Sequence, residues 1–452
     1  NVVRGNRMNI TLKEDTETLD EVVVIGYGSM QRKDVTSSIT TVKAEDMNVG
    51  VITTPAQMLQ GKVPGLTIAN TSDPNGSASI SLRGASSLRT GEAMEPYYVV
   101  DGVPGVSISL VAPEDIESID VLRDASATAI YGSKAANGVI IITNKSGKGL
   151  EKGKPQVSFS SNVSFDVVGR LPEFQKTYAQ GSGGVFSTTS GTSWGPKISE
   201  LPNDATYGGN TDNEYTQKFG KQQGKYYVPQ RAAAGLDPWA TPQAYDNAKD
   251  FFDTGITWSN SLNVAQMLDK SSYSISLGNT HQDGIISSTG MDRYNVKVSA
   301  DTKLTNNWSS GFTANYITTS IDKAVTSGNG LLRTVYAAPP SYDLAGIPSH
   351  VDGNPYTQNS FRGSFDNAYW AMENNKFTED TNRFFGNVYA SYQTDFGTTN
   401  HKLNAKYMVG VDAYTTHYVD SYGYGSNTGG GRGQIENYGW TNATYNSLLT
   451  IN

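Results

Sequence analysis

The stretch Ile119-Asp-Val-Leu-Arg-Asp-Ala-Ser-Ala-Thr-Ala-Ile-Tyr-Gly-Ser-Lys-Ala-Ala-Asn-Gly-Val-Ile-Ile-Ile-Thr143 reads as strand, helix, glycine turn, strand. Val121 and Leu122 close a short extended piece, and Ser126 is placed to cap a helix over Ala127–Tyr131 with its hydroxyl. Gly132 and Gly138 permit sharp turns, and Val139–Ile142 is an unbroken β-branched run that calls for burial on both faces. Upstream, Thr54-Pro55 opens a short helix with Met58 and Leu59 on its apolar face, and Gly61 ends it. Strands are expected at Val63–Ile68, around Ile80 and Leu82, and at Tyr97–Val100, where Asp101-Gly102 turns the chain. Pro113 is expected to start another helix, with Glu114 and Asp115 complementing its dipole.

Beyond Lys154 the hydrophobic period becomes two. Val157, Phe159, Val163 and Phe165 alternate with Ser158, Ser160, Asn162 and Ser164, giving one apolar and one polar face. The pattern returns at Trp258–Val264, Tyr273–Leu277, Tyr294–Ala300, Trp308–Tyr316, Phe384–Tyr392, Leu403–Ala413 and, more weakly, Tyr438–Ile451. Links between these runs alternate long and short. The chain from Val168 to Asp253 and that from Ser320 to Thr381 are long, and His281–Met291 is intermediate. Leu268–Lys270, Leu304–Asn307 and Phe396–Asn400 are short. Membrane β-barrels obey that rule, with short turns at one rim and long loops at the other. In the first long link, Thr241–Phe252 reads as a capped helix and Leu171–Gln180 as a weaker one. Trp194, Tyr226, Tyr227 and Trp239 lie in the same link, where loop packing or stacking on a ligand would each employ an aromatic ring.

Composition agrees with many strands and tight turns. Charged residues make up 17% of the 452, against roughly 25% in ordinary soluble domains, while Gly (47) and Tyr (26) are abundant. The net charge of −8 argues against a nucleic-acid partner, and the absence of cysteine excludes disulfides and thiol chemistry. No apolar run approaches the ~20 residues of a membrane helix, and Asn1-Val-Val-Arg4 lacks a signal-peptide layout. A membrane-spanning chain without such helices must use a closed barrel. The four histidines have no metal-ligand spacing, and no Gly-x-Ser-x-Gly turn stands out, so an enzyme has no support.

The motifs Leu59-Gln-Gly-Lys-Val-Pro-Gly65, Ile80-Ser-Leu-Arg-Gly84, Tyr97-Tyr-Val-Val-Asp-Gly102 and the Asp124–Gly138 wording together resemble the plug of TonB-dependent outer-membrane transporters, in particular the SusC/RagA branch. The resemblance implies a membrane β-barrel of about 22 strands with an N-terminal α+β plug domain, of which about eight strands are present here. It divides the chain into a remnant of a β-sandwich extension (1–18, with a strand at Met8–Leu12), a TonB box (19–28), the plug (29–150) and the first part of the barrel (151–452). The final Leu448–Asn452 lacks a terminal aromatic, so a longer parent chain is expected.

The segment Leu19, Asp20, Glu21, Val22, Val23, Val24, Ile25, Gly26, Tyr27 and Gly28 admits three readings. As a dinucleotide-binding turn it fails, because Gln31 stands where the third glycine belongs and no helix follows. It could be an edge strand. As a TonB box, it would add as a strand to a partner's sheet edge, which is the reading that the resemblance favours. Asn75, Ser77, Ser107 and Ser109 are candidate substrate-facing residues, provided the plug strands run antiparallel and bring their loops to one end. Arg83 and Arg123 are candidates to pair with carboxylates on the barrel wall.

By resemblance the function is TonB-dependent import of a nutrient, an oligosaccharide in preference to a peptide, across the outer membrane of a Gram-negative, Bacteroidetes-like bacterium. A SusD-like lipoprotein, TonB and outer-membrane lipid are the implied partners, with no cofactor and no metal. A conventional siderophore or cobalamin receptor, and a non-transporting adhesin or signalling receptor, stay open as alternatives.

Overall fold

The alternation of inward and outward side chains decides where the strands of the large sheet lie. In the computed structural model the described residues are 22–25, 28–31, 39–48, 50, 52, 54–69, 74, 79–84, 94–108, 111–124, 128–325, 330–395 and 402–451. Among the described residues the first elements are β1 (Val22–Ile25) and β2 (Gly28–Gln31), paired antiparallel. There follow β3 (Ile39–Lys43), β4 (Leu66–Ala69), β5 (Ser79–Leu82), β6 (Tyr97–Val100), β7 (Val103–Pro104), β8 (Ile116–Leu122) and β9 (Val139–Asn144). Five of them form a sheet in the order β3-β8-β9-β6-β7. The apolar run of β9 is central, antiparallel to β8 on one side and parallel to β6 on the other, and Val139–Ile142 are buried as expected. One face of this sheet packs with Leu59 of the helix Pro55–Leu59 and with Ile80 of β5, and the other with Tyr131 and Ala135. Gly138 precedes β9 at φ +93°, and a Cβ there would overlap the Leu82 side chain.

Three local expectations need correction. The helix placed over Ala127–Tyr131 is instead a run of 3-10 turns over Ala129–Ala135, because Gly132 breaks it at φ 66°, ψ −154°. Ser126 lies outside the described residues. Pro113 starts only one 3-10 turn, Pro113–Asp115, since Ile116 is already extended and begins the buried run of β8. The plug strands are also not uniformly antiparallel: β5 pairs with β4 in a separate two-stranded sheet, and β6 runs parallel to β9.

The wall starts with β10 (Pro155–Asp166). A long loop carries β11 (Gly181–Ser182), β12 (Val185–Phe186), β13 (Tyr226–Tyr227) and β14 (Trp239–Ala240). Then come β15 (Gly255–Met267), β16 (Ser271–Asp283), β17 (Gly290–Lys303) and β18 (Trp308–Lys323). A second loop holds β19 (His350–Val351) and β20 (Asn354–Gln358), followed by β21 (Lys376–Asp395), β22 (Lys402–Tyr422) and β23 (Gln434–Ile451). The wall is one eight-stranded sheet, β10-β15-β16-β17-β18-β21-β22-β23, in sequence order and antiparallel throughout.

Its burial is inverted relative to a soluble sheet. Phe159 is 70% exposed while Ser274 is 1% exposed, and Arg293, Asn295 and Lys297 are buried as well. An apolar outer band with a polar inner face is what lipid outside and a filled lumen inside require. The two long loops fold together into a cap with its own core of Leu201, Tyr226, Phe251, Phe361 and Trp370. The helix expected over Thr241–Phe252 shrinks to Asn247–Asp250, because Tyr245 N bonds Pro340 O and the Asn247 amide bonds the Pro339 and Tyr342 carbonyls. Leu171–Gln180 is not helical: the Gln175 side chain accepts the Thr177 and Tyr178 amides, and Ala179 N bonds Pro196 O.

Candidate functional site: the face between plug and wall

On β17 the strand period directs Arg293, Asn295, Lys297 and Ser299 inward, and all four are buried. Three polar clusters tie the plug to this inner face. In the first, Asn295 Nδ2 donates to Asp115 Oδ2 at 3.2 Å, Lys297 Nζ to Lys145 O at 2.6 Å, and Lys145 Nζ to Glu114 O at 2.8 Å. Burial pushes the Glu114 carboxyl upward, with Arg293 pulling it back. Burial likewise raises Asp115, opposed by Lys297. The buried Arg293 guanidinium thus has acid on the plug side to balance it, Asp115 buried and Glu114 half-buried, while the plug is seated.

The second cluster centres on Asp101, held at φ 49°. Its carboxylate accepts from Asn144 N at 2.9 Å and Asn144 Nδ2 at 2.8 Å, and its carbonyl accepts from Asn387 Nδ2 of β21 at 2.8 Å. Beside it, a Cβ on Gly102 would lie 3.3 Å from the Met408 side chain of β22. The third joins Lys148, just beyond β9, to Asp301 of β17 at 2.8 Å, and Asp301 also accepts from the Tyr389 hydroxyl. Lys406 Nζ lies 4.4 Å from the Tyr389 ring centroid. Between these clusters is a cavity of ≈ 450 Å³ lined by Asp101, Lys145, Lys148, Lys297, Asp301 and Lys406 among others. Apolar contact is narrower: from the wall, Ile317 and Phe385 join the plug core. The arrangement is suited to holding a domain by polar contacts that water can replace.

The residues singled out from sequence fall differently. Arg83 does not reach the wall; it pairs with Asp124 of the plug at 2.9 Å. Arg123 donates to Pro64 O at 3.2 Å, also within the plug. The reason is position: Arg83 directly follows β5 and Arg123 directly follows β8, where the nearby acceptors are plug turns. Ser107 is exposed, whereas Asn75, Ser77 and Ser109 lie outside the described residues. Of the segment 19–28, Val22–Ile25 and Gly28 have a described backbone, in the pair β1–β2, and Leu19–Glu21, Gly26 and Tyr27 lie outside. Tyr226, Tyr227 and Trp239 are buried in the loop cap, so packing accounts for them. Trp194 is 68% exposed, next to Tyr178.

Sequence reasoning missed Lys148, Arg293, Lys297 and Asp301, and gave Glu114 and Asp115 a helix-dipole role in place of this one. A signal was present. Arg293, Lys297 and Asp301 recur every fourth residue on the polar face of β17, and charges turned into a lumen need partners.

Comparison with known proteins agrees with this architecture. The family described as TonB-dependent Receptor Plug Domain matches residues 31–139. The TonB-dependent receptor SusC of Bacteroides thetaiotaomicron is 30% identical over 470 aligned residues, covering 97% of this chain and 42% of SusC. TonB-dependent receptor P39 of Formosa agariphila is 42% identical over 160 residues, 35% of this chain and 15% of that protein. The chain therefore spans less than half the length of these relatives. Among solved structures, the RagAB peptide importer in its open-open state superposes with a TM-score of 0.67 at 20% identity, over 95% of this chain and 46% of that one. With its plug, its polar-inside wall and this similarity along nearly its whole length, the chain is SusC/RagA-like and carries the plug and eight wall strands of a TonB-dependent outer-membrane receptor.

Proposed function

We propose that the parent protein imports a nutrient across the outer membrane, driven by TonB and working with a SusD-like surface lipoprotein. The observation that carries this reading is the plug's fastening. It sits inside a lipid-facing wall on hydrogen bonds and ion pairs, which a pull can exchange for water without tearing a large apolar interface. The segment Leu19–Gly28 is the TonB box of this scheme, 29–150 the moving plug and 151–452 the fixed wall. Asn75, Ser77, Ser107 and Ser109 are proposed to meet cargo on the plug. An oligosaccharide is preferred to a peptide, because the inner wall face is rich in neutral Ser, Thr and Asn. The RagAB peptide importer, whose fold this chain shares, keeps the peptide alternative in view. No step in this scheme is catalytic, and the host is proposed to be a Bacteroidetes-like, Gram-negative bacterium.

The test deletes residues 19–28 from the full-length protein in its native host. Uptake of fluorescent oligosaccharides and peptides should vanish while the protein stays in the outer membrane and still binds cargo at the surface. Undiminished uptake would replace import by TonB with another mechanism.

A further inference from the structure

Where the plug meets the wall, two buried amides border one small cavity, and neither carbonyl oxygen has a donor among the described residues. Asn144, the last residue of β9, is 4% exposed, and so is Asn295 of β17. The Oδ1 atoms of both are buried and accept no hydrogen bond from the described residues. Neither amide can turn over to relieve this. Asn144 Nδ2 donates to Asp101 Oδ2 at 2.8 Å and Asn295 Nδ2 to Asp115 Oδ2 at 3.2 Å, so a flip would set a carbonyl oxygen against a carboxylate. Both side chains line a cavity of ≈ 10 Å³ together with Asp115, Lys297 and Asn315. Buried Val111, Ile317 and Phe385 close it with apolar surface.

A buried carbonyl oxygen without a donor is costly, and two at one place call for a donor that serves both. Two acceptors cannot satisfy each other. A cation is poorly suited, because the Lys297 ammonium borders the same space and donates to Lys145 O at 2.6 Å. A neutral molecule with two hydrogens to give is suited, and ≈ 10 Å³ is about the room that the centre of one water needs. The oxygen of such a water can accept from Lys297, whose ammonium has N–H groups to spare.

We infer that one water molecule is built into the seam between plug and wall, giving its hydrogens to Asn144 Oδ1 and Asn295 Oδ1 and accepting from Lys297 Nζ. It ties the end of β9 to β17 through bonds that entering solvent replaces like for like. That the site holds a water stands on this geometry alone; that the water eases withdrawal of the plug rests on the import reading above.

The test is a crystal structure of the full-length protein in detergent, at a resolution that orders buried solvent, with and without thallium(I) in the crystals. One rounded density peak is expected within hydrogen-bond distance of both Asn oxygens and of Lys297, with no anomalous signal. An anomalous peak there makes the occupant a monovalent cation and overturns the water. Absence of density, or an Asn amide turned so that the two side chains bond each other, overturns it as well. In solution, Ala112→Val crowds the same cavity without removing a polar partner, whereas Ala112→Ser adds a hydroxyl there. The denaturant midpoint of plug release should fall in the valine variant and be largely kept in the serine variant. Equal midpoints for the two overturn the water's part in seating the plug. A seam without the water, in a protein whose uptake needs residues 19–28, rejects this inference alone. An ordered water with uptake independent of those residues rejects the import reading alone.

Discussion

At the level of single residues, Glu114 and Asp115 illustrate how a correct local rule can miss a residue's role. Their position after Pro113 suggests charge set against a helix dipole, yet the helix is one turn long and the two acids face Arg293, Asn295 and Lys297 of the wall. Nothing in a linear sequence brings residue 115 to residue 295. Only the closing of plug against wall does so. The contacts of Arg83 with Asp124 and of Arg123 with the Pro64 carbonyl have the same origin, since folding of the plug makes them neighbours. The buried acids also give the assembly a pH dependence. Burial raises both above the ordinary carboxylate range. An acid whose folded pKa exceeds its unfolded one binds more protons when folded, so plug seating is firmest below that range and weakens as pH rises through it. Amide exchange of β8 in the full-length protein should therefore speed up, after correction for intrinsic rates, as pH rises above the ordinary carboxylate range. In Asp115→Asn the pH dependence should flatten; an unchanged profile would assign it to other groups.

At the level of elements, the eight wall strands were legible because alternation is a property of each strand alone, and lipid on one side keeps it strict. β9 was legible for the complementary reason, as a run apolar on both faces in the middle of a sheet. The loop cap was not. Its helices Leu331–Ala337 and Ala368–Asn374 are short and rest on burial of Leu331, Val335, Ala368 and Trp370 in the cap core, although Asn367 caps the second locally by accepting the Tyr369 and Trp370 amides. Between plug and wall, the element that matters most is the short tether 145–153. Gly147 crosses β15 and β16 so closely that a Cβ would lie 2.5 Å from Tyr273 O and 2.7 Å from Gln266 O. Gly147→Ala must push the tether off the wall, and it should cost about 1–3 kcal/mol by the measure of overpacked sites. The readout is the denaturant midpoint of plug release in the full-length protein. A midpoint equal to wild type would mean that the tether is not part of the plug's anchorage.

At the level of the whole molecule, inverted burial decides the solvent in which the fold exists. Trp258, Trp308 and Trp440 are each about half exposed on the wall, whereas Trp370 and Trp239 are buried in the loop cap. In bilayers of brominated lipid, single-tryptophan versions of the full-length protein should be quenched at the first three positions and left bright at the last two. Equal quenching at all five would refute a lipid-facing wall with a separate cap. The order of the plug sheet has a mechanical corollary. β3 lies at the sheet edge and is hydrogen-bonded to β8 alone, whereas β9 is gripped by a strand on each side and continues into the clamped tether. Tension entering from the amino-terminal side thus meets its weakest seam first and its strongest last. Under the import scheme proposed above, the plug would be graded like a fuse: it would yield from the leading end while the wall kept hold of the trailing one, so that what had been drawn out could be wound back in place.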